Sequence, residues 1–140
     1  MVASLVALVL AGLMMVLAVQ LLQEGRGTGQ LSGRQRFDAG RVDRLSAEIA
    51  DRGPFLVADA SPNRRRDIYV QWLGETEEVG WLAFSAFAPG QTDRSCFLVW
   101  DERSESFSDP CTGSTFDERG AGLEQFPVEV ADGRLFVDLE

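Results

Sequence analysis

Apolar and polar positions divide the chain into four stretches. Residues 1–22, MVASLVALVLAGLMMVLAVQLL, carry no charged side chain. About 20 apolar residues cross a hydrocarbon core of roughly 30 Å, so this stretch predicts a single transmembrane helix over 1–22. A cleaved signal peptide fits less well, because no basic residue precedes the run and the run exceeds an ordinary h-region. Residues 23–36, QEGRGTGQLSGRQR, contain four Gly and no apolar period, which predicts a flexible tether. Over residues 37–53 the pattern turns amphipathic. Val42, Leu45 and Ile49 share helical spacing and Gly53-Pro54 terminates the run, so a short helix is expected at about 43–51.

From residue 54 to 140 the period changes to two. FLVAD is an apolar run. DIYVQWLG sets Ile68, Val70 and Trp72 on one face against Tyr69, Gln71 and Leu73 on the other. GWLAFSAFAP alternates Trp81, Ala83 and Ser85 with Leu82, Phe84 and Ala86. CFLVWD and the run around Phe107 flank a turn at DERSES, and FPVEVADGRLFVDL reads as a hairpin about Asp132-Gly133. Short strands with frequent turns predict an all-β domain, an antiparallel sandwich or small barrel with one short helix.

Charge narrows the function. The net charge is −9. Residues 23–44 carry five Arg against three carboxylates, whereas residues 45–140 carry eight Arg against nineteen, a net of −11. So acidic a head does not hold nucleic acid through counterion release. The chain contains neither His nor Lys. The commonest general base, the commonest zinc and haem ligand and any Schiff-base lysine are therefore missing. We expect no enzyme here. The basic loop SPNRRRD (61–67) reads as a solvated turn on an acidic protein, or as a patch for an acidic partner. Two cysteines remain, Cys96 and Cys111. From the residues alone they are a buried apolar pair, a structural disulfide or, lacking a Cys-x-x-Cys spacing, less readily a reactive one.

The stretches DRSCFLVW (93–100) and FSDPCTGSTFDERG (107–120) together resemble the two cluster-binding loops of Rieske iron–sulfur proteins. In that family the loops read Cys-x-His-x-Gly-Cys and Cys-Pro-Cys-His-Gly-Ser-x-Phe-Asp. The first Cys and the His of each loop bind iron, and the remaining two Cys form a disulfide clamp. The resemblance puts Cys96 and Cys111 in the clamp, with Gly113, Ser114, Phe116 and Asp117 in family register. It puts Gln91, Asp93, Asp109 and Thr112 at the four ligand positions. A Rieske centre needs two thiolates and two imidazoles, so all four ligands are replaced and no cluster cofactor is expected. Asp93 and Asp109, with Gln91 and Thr112, offer oxygen donors for a hard cation, although two loop-tip aspartates in turns are the plainer reading.

The resemblance spans about residues 54–140 and includes the C-terminal hairpin. Anchor, tether and head together are similar to the Rieske subunits of cytochrome bc-type complexes. This implies a non-catalytic accessory subunit of a larger membrane-bound respiratory or other electron-transfer complex, inserted in the lipid bilayer. Small residues at Ala3, Ala7 and Ala11 fall on one helix face, where another helix can approach closely. Five Arg after the anchor place the head in the cytoplasm by the positive-inside rule. A disulfide and the family likeness place it outside the cell membrane, which is the orientation we expect. The alternative function is a stand-alone anchored module that holds a cation or small ligand in the emptied pocket.

Overall fold

Val42, Leu45 and Ile49 do form one face of a helix, α1 (Val42–Arg52), and all three are buried. Asp43 sits in its first turn and Arg52 in its last, each favourable to the helix dipole. The helix ends where the Gly53 amide donates to the Ile49 carbonyl at 2.8 Å, with Gly53 at φ +84°. The computed structural model describes residues 36–61 and 66–140. The predicted anchor, the tether through residue 35 and the Ala3, Ala7, Ala11 face lie outside the described residues, as does most of the triple-Arg loop. Among the described residues no helix is long and apolar enough to cross a membrane.

Among the described residues ten strands accompany the helix: β1 (Arg36–Arg41), β2 (Phe55–Val57), β3 (Ile68–Trp72), β4 (Trp81–Ser85), β5 (Val99–Asp101), β6 (Ser106–Ser108), β7 (Thr115–Asp117), β8 (Gln125–Phe126), β9 (Val128–Ala131) and β10 (Arg134–Asp138). They form three antiparallel sheets, ordered β1-β10-β9, β2-β3-β4-β8 and β5-β6-β7. The expected sandwich or small barrel is thus three small sheets.

Residues 37–41 correct the expectation of a helical segment over 37–53. They belong to β1, which pairs with β10 from Arg36↔Asp138 to Arg41↔Arg134, with an irregularity between Asp38 and Gly40. Arg36 also closes the span read as tether: it pairs with Glu129. The head therefore starts at the tether's end and not at residue 54. The polar-rich sequence RFDAGR hid the strand. Its inward side chains, Phe37 and Ala39, are few, and its partner strand lies about a hundred residues away.

The period-two runs place opposite faces of the central sheet in two cores. Ile68 and Val70 of β3 and Trp81 and Ala83 of β4 join Val42, Leu45 and Ile49 of α1 and Leu135 and Val137 of β10. Tyr69 and Phe84 point the other way, to Leu98, Phe107 and Leu123. Both faces of the central sheet are thus covered, one by the helix and the β1-β10-β9 sheet, the other by the small β5-β6-β7 sheet and its loops. Four aromatic rings fill the second core: Phe107 lies 4.8 Å from Tyr69, 4.8 Å from Trp100 and 5.3 Å edge-on from Phe84, between ring centroids. The Tyr69 hydroxyl donates to the Leu98 carbonyl at 2.7 Å, and burial raises its pKa.

Candidate functional site

Two loops stand on this second core, residues 86–98 between β4 and β5 and residues 109–114 between β6 and β7. The first is seated by backbone bonds, Leu98 N–H to Ala86 C=O at 2.8 Å and Ala86 N–H to Asp67 C=O at 2.9 Å. The expected strand Phe97–Trp100 is shorter than its apolar letters imply. β5 begins at Val99, and Phe97 and Val99 are 43% and 47% exposed while Leu98 is buried between them.

Side-chain caps shape the first loop. Gln91 accepts the Asp93 amide through its side-chain carbonyl at 3.0 Å. Asp93 Oδ1 accepts the Ser95 amide at 2.9 Å and the Ser95 hydroxyl at 2.7 Å. The Ser95 amide and hydroxyl hold the Asp93 carboxyl below its ordinary pKa. Arg94 reaches back to Asp59 and Asp67, both at 3.1 Å, and so fixes the loop to the connection before β3. That tie joins positions 27 and 35 residues apart, and no local pattern in the sequence announces it.

The second loop is a tight turn. The Asp109 amide donates to the Ser114 carbonyl and the Gly113 amide to the Asp109 carbonyl, both at 2.8 Å. Asp109 Oδ1 accepts the amides of Cys111 at 2.8 Å and Thr112 at 3.3 Å. The Thr112 hydroxyl donates to Ser114 Oγ at 3.0 Å. The Asp109 side chain is only 1% exposed, yet the Cys111 amide, ahead of burial, holds its pKa below the ordinary value. Asp117 continues the pattern beyond the loop, its Oδ1 accepting the Arg119 and Ala121 amides at 3.0 and 2.9 Å.

The loops are joined covalently. Cys96 and Cys111 form a disulfide with Cα atoms 5.7 Å apart, as the resemblance implied. Gln91, Asp109 and Thr112 then line one pocket of about 220 Å³. Asp93 is not part of its lining; its carboxylate caps Ser95 within the first loop.

Two loops on a three-stranded sheet, bridged by one disulfide above a larger β core, decide the architecture when it is set beside solved structures. The crystal structure of the cyanobacterial plasma membrane Rieske protein PetC3 from Synechocystis PCC 6803 aligns over 72% of this chain and 97% of that one, with TM-score 0.51 and 16% sequence identity. The head has a Rieske-like fold. No protein-family model matches the chain, and no curated protein does.

The donor set of this Rieske-like head does not fit a [2Fe–2S] centre. The chain has no imidazole, and its two sulfurs are bonded to each other. The side chains of Gln91, Asp93, Asp109 and Thr112, which the resemblance set at the ligand positions, are an amide, two carboxylates and a hydroxyl, and each makes hydrogen bonds within its own loop. Among the described residues no three His, Cys, Asp or Glu side chains converge to hold a metal. Sequence reasoning placed the clamp but missed Arg94, Asp59 and Asp67, and it gave no weight to the burial of Asp109.

Proposed function

We propose that this protein is a membrane-anchored accessory subunit of a larger electron-transfer complex, with a cluster-less Rieske-like head that docks on or covers the complex and carries no electron itself. One observation carries the reading. The head keeps the fold and the disulfide that clamps its loops, while Gln91, Asp93, Asp109 and Thr112 use their polar atoms to hold the loops in shape. The result is a tip held in shape by its own polar atoms and disulfide, as a docking surface would be. Phe97 and Val99, exposed on β5 and the residues before it, give that tip apolar contact area of the kind interfaces bury.

The uncharged segment 1–22 supports an anchor that packs among other helices. PetC3 is a plasma membrane protein, which supports a membrane setting, with the disulfide favouring an extracytoplasmic head. The test is a mild-detergent pull-down from native membranes through a tag after Glu140, with an absorption spectrum of the eluate. Stoichiometric recovery of large membrane subunits or haem is the expected result. A colourless eluate containing this chain alone would sink the accessory reading.

A further inference from the structure

The pocket between the loops contains a chemical imbalance. Asp109 Oδ1 is saturated by two backbone amides, but Oδ2 is buried and has no hydrogen-bond partner among the described residues. A buried charged oxygen without a donor is strongly unfavourable. The Cys111 amide, ahead of desolvation, lowers the Asp109 pKa and so favours the charged form. Among the described residues no Arg forms an ion pair with Asp109, and the chain has neither Lys nor His to answer that charge.

The walls define what can. Ala88, Pro89 and Phe116 supply apolar surface, and Gln91, Thr112 and Ser114 supply polar atoms. We propose that this pocket binds a primary alkylammonium group, with its N–H donors on Asp109 Oδ2 and its alkyl stem against Ala88, Pro89 and Phe116. Charge matching favours a monocation. Asp109 is the one carboxylate of the lining, and a divalent ion takes six to eight oxygens in a calcium site and would leave excess positive charge among apolar walls. The Phe116 ring adds attraction for an ammonium, and the hydroxyl oxygens of Thr112 and Ser114 have lone pairs to offer. Oδ2 is closed to solvent, and the Gln91 side chain, which favours the charged form of Asp109, is the donor an entering ammonium replaces, while the Gln91 side-chain oxygen keeps its bond to the Asp93 amide. The ammonium comes either from a free small amine or from a lysine side chain of another protein.

The experiment titrates the full chain in nonionic detergent with n-butylammonium by calorimetry, beside n-butanol, sodium and calcium chloride. Saturable binding of n-butylammonium alone is expected. Asp109→Asn keeps the oxygen that caps the turn and removes the charge, so it should weaken that binding by about tenfold or more. Should the variant fail to fold, the wild-type amide NMR signals of Cys111, Thr112 and Ser114 should still move with n-butylammonium and stay fixed with n-butanol. Blocked lysine, N-acetyl-lysine N-methylamide, separates the sources. Equal binding assigns a lysine side chain, and binding of butylammonium alone assigns a free amine. Saturable calcium binding, equal binding of n-butanol or no binding at all overturns the proposal. The titration uses the chain alone, so its outcome is separate from the co-purification that tests the accessory role.

Discussion

Single residues hold the loop platform in two ways, by close approach and by charge. Gly120 has φ +64°, and a Cβ there would stand 2.7 Å from the ring of Phe84, which is fully buried and cannot retreat. Gly120→Ala should therefore destabilise the head by about 2 kcal/mol or more, combining left-handed strain with overpacking. Urea unfolding followed by Trp fluorescence of the full chain in detergent measures it, and an unchanged midpoint would show that Phe84 yields. The aspartate caps act through protonation. Asp93, Asp101 and Asp109 have lowered folded-state pKa values, each with a backbone amide as the first cause. A depressed carboxylate contributes stability that is complete above its unfolded value of about 3.9 and is lost as pH falls through the folded value. The urea midpoint should stay level from neutral pH down to about 5 and fall below 4. A midpoint that rose on acidification would contradict ionised caps. The sequence showed Asp93 and Asp109 as loop-tip aspartates in turns, where Asp commonly caps the amide two residues on. That Asp109 is buried and Asp93 exposed was not legible, because burial depends on which loop lies over which.

At the scale of elements, the disulfide and the two hairpins illustrate the same division. The hairpin at Asp132-Gly133 was readable because both residues take positive φ, +51° and +71°, and Asp-Gly is the pair that does so at small cost. The turn before β6 likewise needed only local letters. β1 was not readable, since its stability comes from β10 and from the Arg134–Asp38 pair at 2.8 Å. The disulfide lies between these cases. Its 15-residue separation closes a loop for which chain-entropy arguments give about 3 kcal/mol. Cys96→Ser/Cys111→Ser should lower the unfolding free energy by about that amount, and reductant should do the same to the wild type. A double variant as stable as the wild type would mean that the Arg94 bridge and the aromatic core already hold the loops.

For the whole molecule, the acidic head is the dominant long-range feature. Residues 45–140 have a net charge of −11, and a docking partner of the proposed kind must present a positive face. Electrostatic steering of that sort weakens with salt. Re-association of the purified chain with its partner complex should slow by roughly tenfold between low and several-hundred-millimolar salt. A rate independent of salt would assign docking to the apolar Phe97 and Val99 surface instead.

By itself, the sequence determined the features that depend on neighbouring letters: the uncharged 1–22 run, α1, the alternation of β3 and β4, the Asp-Gly hairpin and the exclusion of an iron–sulfur ligand set. Each rests on period, turn chemistry or the absence of a residue type, and none needs a distant partner. Only the tertiary structure decided the rest. It made Arg36–Arg41 a strand, divided the strands into three sheets and brought Gln91, Asp109 and Thr112 to one pocket without Asp93. It left one oxygen of Asp109 buried with no hydrogen bond of ordinary length among the described residues. These outcomes come from contacts between residues far apart in the chain, where packing and desolvation, and not local propensity, set the free energy.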